Sequence, residues 1–336
     1  MTQRELAART DLSAKHVNQL IQGLVPLTAD VAQRLQTVTG TPARLWNRME
    51  ADYRTSLQRL RLLRDRAQHE EWLKTQPVRE LVNRGYLPDE KTDKPTRIEQ
   101  LLSFFSVANL DAWREIYAEP VAAFRKSTTI ESKAGALSAW LRLGELKAHE
   151  VTCRPFDPQS LRESLQKLRA LTVEPPEVFE PEMQKICAHH GVAVVFVAEL
   201  KGCAASGATL RRGNKKIIIL SLRHKTDDHL WFTFFHEIGH LLLHSEEKVR
   251  VDIPNAQDAD DPQEKEANDF AADLLIPPVA ASQLPRLKSK DAVRKFAGEI
   301  GIAPGIVVGR LQREGHRSWP WKNGNGLKRS FQLQEA

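Results

Sequence analysis

The sequence predicts a multidomain, mainly α-helical protein whose second half holds one α+β domain, a small β-sheet beside a helix that carries H-E-x-x-H. Three observations lead to this. The chain has 336 residues, enough for two or three compact domains. Apolar residues keep a helical period up to about Glu150. Beyond a proline-marked change of composition, short β-branched runs appear and are followed by two helical patterns rich in His and carboxylates.

Thr2–Gly23 reads TQRELAARTDLSAKHVNQLIQG. Leu6 and Ala7 would pack one helix, a turn falls near Thr10–Leu12, and Val17, Leu20 and Ile21 would pack a second helix that Ser13 caps. The outward residues Lys15, His16, Asn18, Gln19 and Gln22 are polar groups able to meet base edges or phosphates. An ordinary helical hairpin is the plainer alternative. An amphipathic helix is expected from about Ala51 to Lys74, with Leu57, Leu60, Leu63 and Trp72 as its stripe among Arg54, Arg59, Arg61, Arg64 and Arg66. Pro77 ends it. From Val78 to Glu150 the pattern stays helical, with Leu101, Leu102, Phe104, Phe105, Trp113 and Trp140 as core candidates, and reads as a spacer of packed helices.

Pro155, Pro158, Pro175, Pro176 and Pro181 mark the change of composition. Val192–Ala198 and Ile217–Leu220 are short and β-branched, bounded by Gly191, Gly202, Gly207 and Gly213, and are expected as strands. There is no repeat at a fixed period and no low-complexity tract. Later, Gly298–Leu311 has a turn-then-helix character, with Pro304 in the first helical turn, and is expected to pack within the same domain.

Composition narrows the chemistry. No apolar run approaches the roughly 20 residues of a spanning helix. Arg4, Glu5, Arg9 and Asp11 interrupt the place of a secretory signal, so a cytoplasmic protein is expected. Cys153, Cys187 and Cys203 stand far apart, which suggests neither a disulfide framework nor a thiolate metal site. Any metal must therefore be held by His and carboxylate. The net charge of +6 agrees with nucleic-acid contact without establishing it.

Trp231–His244 reads WFTFFHEIGHLLLH, an apolar helix without proline. At about 100° per residue, His236 and His240 lie about 40° apart and can aim their imidazoles at one ion. Glu237, one residue along, can act as the catalytic base on a water, and Gly239 leaves space for substrate or a packed neighbour. A catalytic Zn2+ takes three protein ligands and leaves the fourth position open. Glu264–Pro277, EKEANDFAADLLIP, supplies the third. With Ala267, Phe270, Ala271, Leu274 and Leu275 as its buried face, Glu264 falls about 50° from the centre and Glu266 more than about 100° away. Glu264 is thus the expected ligand, and Asn268, one turn on, could hydrogen-bond a ligating histidine. H-E-x-x-H alone arises by chance in helices; the combination is what points to zinc.

FTFFHEIGHLLLH followed by EKEANDFAADLLIP resembles the ImmA/IrrE group of intracellular metallopeptidases, whose pattern is a HExxH helix and then E-x-x-x-N-x-F-A-A-x-L-L-x-P. The resemblance runs over roughly residues 180–315 and includes GIAPGIVVGRLQREG at Gly301–Gly315. It implies a zincin-like metallopeptidase fold, and the carboxylate four residues before the Asn, here Glu264, completes the zinc site. The implied reaction is hydrolysis of a peptide bond, Glu237 taking the proton of the attacking water and passing it to the leaving amine. Tyr53, Tyr86 and Tyr117 all precede this domain, so it offers no tyrosine to the oxyanion. His224, His229 and His244 read as surface or helix-end histidines, which leaves that role unassigned.

Residues 1–55 are similar to the helix-turn-helix of the XRE class, especially HigA-like antitoxin regulators, through the opening segment, LTADVAQRL at Leu27–Leu35, Thr41–Trp46 and Tyr53. With Gln3 and Ser13, the five outward residues make up the expected DNA-contacting set. Such domains usually begin with a helix before the T-Q pair, so the unit is expected to be one helix short. The expected divisions are 1–55 helix-turn-helix, 56–155 helical middle, 156–316 metallopeptidase and 317–336 tail. The leading reading is a DNA-binding regulatory zinc metallo-endopeptidase acting on a repressor- or antitoxin-like protein. Its expected partners are that substrate, double-stranded DNA and a second copy of the chain, with no membrane. Two rivals stand beside it: a non-catalytic transcriptional regulator or antitoxin that uses the metal domain as a sensor or structural unit, and an interaction scaffold with no metal.

Overall fold

The computed structural model describes residues 1–66, 69–118, 131–203, 205–213, 215–221, 226–244, 249–252, 261–315 and 326–331. His224 lies outside them, and of the expected tail 317–336 only 326–331 are included. The helices are α1 (Gln3–Thr10), α2 (Ala14–Ile21), α3 (Ala29–Thr39), α4 (Ala43–Arg66), α5 (Glu70–Thr75), α6 (Val78–Asn83), α7 (Lys94–Phe105), α8 (Leu110–Trp113), α9 (Glu131–Glu150), α10 (Pro158–Ala170), α11 (Pro176–His189), α12 (Asp227–Leu243), α13 (Pro262–Leu275), α14 (Pro278–Ala281), α15 (Lys290–Ile300) and α16 (Pro304–Arg313). The strands are β1 (Val192–Phe196), β2 (Gly207–Arg212), β3 (Lys215–Leu220) and β4 (Val249–Asp252). Contacts divide the chain into two compact units, Met1–Leu73 with Lys91–Glu99, and Lys74–Glu90 with Gln100–Ala336.

In the first unit, polar side chains start the short helices. Thr2 and Glu5 form a reciprocal cap on α1 at 3.2 and 2.7 Å. Ser13 caps α2 by accepting from the His16 amide at 3.1 Å. Asp11, at φ 53°, turns the chain between them. Val17 is 2 % exposed and joins Ala7, Val31, Ala32 and Leu35 in a core. Ile21 and Leu24 stay outside that core, 59 % and 67 % exposed. The helix expected over Ala51–Lys74 begins earlier, at Ala43 just after Pro42, and its stripe is not buried throughout, since Leu60 is 63 % exposed.

In the second unit the sheet order is β1-β3-β2-β4, with β1 parallel to β3 and the other pairs antiparallel. Strands buried on both faces lose the polar alternation of a half-exposed strand, and β1 and the Ile217–Leu220 part of β3 read accordingly as unbroken apolar runs. One face receives Val192, Val194, Phe196, Ile218 and Leu220 in the core that also holds Phe234, Phe235 and Ile238 of α12. The other face meets α9: a Cβ on Gly144 would collide with the Ile219 side chain, and Trp140 donates its indole N–H to the Val197 carbonyl at 3.1 Å. Gly298–Leu311 packs within this unit as expected, with Ile306, Val307, Val308 and Leu311 of α16 buried.

Candidate metal centre

Apart from His229 and Phe232, α12 is buried on every side through Leu242, its apolar residues from Leu230 onward falling on all faces of the helix. It lies on the sheet because β2 opens with glycine. A Cβ at Gly207 would stand 2.5 Å from the Thr233 methyl and 2.6 Å from Glu237 Oε1. On the other side α13 closes against Gly239, where a Cβ would come within 3.1 Å of the Phe270 ring and 3.3 Å of Ala267 Cα. The small residue thus makes room for a packed neighbour, one of the two roles foreseen for it.

These contacts bring together His236, His240 and Glu264, whose ligand atoms lie within 4.8 Å of one another. The two Nε2 atoms are 2.9 Å apart, and Glu264 reaches His236 with Oε2 and His240 with Oε1, both at 3.3 Å. Zinc bonds of about 2.0–2.1 Å in a tetrahedron put donors about 3.3 Å apart, so this set of two imidazoles and a carboxylate fits zinc in chemistry and in spacing. Burial by itself would raise the Glu264 carboxyl, but the hydrogen bonds and charge of His236 and His240 outweigh it and hold the group well below the usual carboxylate range. Glu264 is therefore ionised and ready to meet a cation.

Glu237 has no exposed surface. Its Oε2 accepts the hydroxyl of Thr209, on β2, at 2.5 Å. Nothing in the sequence pairs Thr209 with α12; only the sheet register and the Gly207 approach do. Glu266 points away from the three donors, to His244 Nε2 at 2.8 Å. Asn268 is half-buried and makes no hydrogen bond to either histidine among the described residues. His244, expected as a helix-end histidine, does cap α12, and its ring also lies against His240. Beside the donors, Phe232 stacks on His236 at 6.3 Å and walls a cavity of about 380 Å³ that Ala272, Leu275, Ile276, Ile306 and Arg313 also line.

In the first unit, Gln3, Ser13, Lys15, Asn18 and Gln22 are exposed while His16 and Gln19 are half-buried. The Ser13 hydroxyl is used as the α2 cap. No helix among the described residues is long and apolar enough to cross a membrane.

A search of curated proteins finds no match. Residues 187–312, which contain the sheet, all three donors and Glu237, match the family model of the IrrE N-terminal-like domain, a metallopeptidase family.

Proposed function

We propose that the chain is a cytoplasmic zinc-dependent endopeptidase that regulates gene expression by cutting a repressor- or antitoxin-like protein, and that its N-terminal unit contacts double-stranded DNA. One observation carries the catalytic part: two imidazoles and a carboxylate converge within a single metal's reach, with a buried carboxylate one residue from the first ligand. A structural zinc has no need of Glu237. Bound zinc supplies the Lewis-acid charge that polarises the scissile carbonyl. Glu237 takes a proton from the water as the water oxygen bonds to the carbonyl carbon, the carbon–nitrogen bond breaks, and Glu237 returns the proton to the leaving amine. Thr209 fixes the direction of that carboxylate. The neighbouring apolar cavity offers a place for a substrate side chain.

The supports for DNA contact are the net charge of +6 and the exposed Lys15, Asn18 and Gln22 on α2. A second reading, a non-catalytic regulator that senses metal, draws on one fact: Glu237 has no exposed surface, so water and substrate reach it only if its surroundings move. Co-expression with candidate repressors or antitoxins separates the two. Wild type should give cleavage fragments on a gel and Glu237→Gln none, with zinc retained in both. Equal regulatory output from the two proteins, with no fragment from either, would replace the enzyme by the regulator.

A further inference from the structure

His240 turns Nε2 toward His236 and Glu264. If that nitrogen gives its lone pair to a metal, the proton of the neutral ring must sit on Nδ1. Nδ1 stands 3.3 Å from Nδ1 of His244. Two N–H groups cannot face each other, so the His244 nitrogen accepts, and the His244 proton must sit on its own Nε2. That atom faces Glu266 Oε2 at 2.8 Å, which accepts it. With a metal on His240 Nε2, this arrangement of protons satisfies both contacts that run from His240 through His244 to Glu266.

Resting on the zinc reading above, we propose that His244 and Glu266 are positioning residues of the metal centre, fixing the tautomer and ring direction of His240. The architecture suits the task. His244 is one turn beyond His240, at the residue where α12 ends, and its side chain is only 6 % exposed, so its ring is held. Glu266 is two residues beyond Glu264 on α13. A single turn of α13 thus reaches α12 twice: Glu264 meets the metal-facing nitrogens, and Glu266 supports His240 from behind through His244. Glu266 stands off the ligand face of α13, on the side that meets His244. Partners of this kind raise ligand basicity and hold the ring, and their loss typically weakens metal binding about 10–100-fold.

The test measures zinc dissociation constants on the full chain by competition with a chromophoric chelator, with metal-free melting as the control for folding. His244→Leu should weaken zinc binding by about 10–100-fold. His244→Gln, whose amide oxygen can accept from His240 Nδ1–H, should recover most of the loss, and Glu266→Ala should show a smaller loss in the same direction. A merely structural role predicts no such separation between Leu and Gln. Nitrogen-15 NMR of the zinc-loaded wild type gives an independent reading, with the proton expected on Nδ1 of His240 and on Nε2 of His244. The proposal is overturned if His244→Leu binds zinc as tightly as wild type, if Gln and Leu are equally weak, or if the tautomers are reversed. A wild type that binds no zinc instead removes the reading beneath it, and the proposal with it.

Discussion

Glu237 and Thr209 are the pair on which the proposed chemistry turns. A carboxylate with no exposed surface needs its hydrogen bond, and leaving a buried acceptor unsatisfied costs about 1–3 kcal/mol. Thr209→Val keeps the shape and removes the donor. It should lower the stability of the metal-free protein by roughly that amount and reduce cleavage, with zinc content unchanged; unaltered melting would show that the hydroxyl is not what holds the carboxylate. The convergence of His236, His240 and Glu264 is legible in the sequence, because helical spacing decides which side chains share a direction. Thr209 was not, because it meets Glu237 across 28 positions of chain through a strand pairing that no local pattern encodes. His244 was legible as a helix end but not as a partner of Glu266, since that contact depends on how α13 lies against α12.

At the scale of elements, β1 and β3 were readable from their β-branched runs, whereas β2, GATLRR, begins with glycine and ends in two arginines. The Gly-Asn pair between β2 and β3 was the available hairpin signal. Gly207 has a packing task of its own: it lets α12 settle on the sheet so that Glu237 meets Thr209. Gly207→Ala forces a Cβ to within 2.6 Å of Glu237 Oε1 and should cost about 1–3 kcal/mol, as overpacking does. Gly298, in the body of α15, has nothing within 4 Å of its Cβ position, so Gly298→Ala should stabilise by about 0.5–1 kcal/mol. Thermal melting of both variants checks the contrast. Similar shifts at the two positions would mean that close approach at Gly207 is not what seats the helix.

Across the second unit, the segment 326–331 returns to the start of α12. Thr226 bridges to Ser330, the Asp227 amide donates to the Arg329 carbonyl at 3.0 Å, and Lys328 Nζ reaches Asp228 at 2.6 Å. Arg329 also donates to the carbonyls of Val173 and Glu174 at 2.9 and 3.1 Å, tying this strap to the connection before α11. The side chain of Asp227 is 0 % exposed. Burial pushes its carboxyl up to about 6, the Arg329 guanidinium opposing and Asp228 adding to the rise. The folded state therefore holds the Asp227 proton more tightly than the unfolded chain. Its contribution to stability is full below the unfolded value of about 3.9 and is lost as pH rises through about 6. Relative to Asp227→Asn, the metal-free wild type should gain stability, up to about 3 kcal/mol, as pH falls from about 7 toward 4. Denaturant melts across that range check this, and a constant difference would show that Asp227 stays ionised throughout.

The proposed hydrolysis requires that His236, His240 and Glu264 together hold zinc beside a base that is not itself a ligand. Elemental analysis of the purified full chain tests this most directly. Wild type and Glu237→Gln should each carry about one zinc per chain, His236→Ala and Glu264→Ala should carry almost none, and Glu266→Ala should still fill when zinc is in excess. A wild type without zinc, or a Glu264→Ala protein that keeps its full complement, would contradict the account.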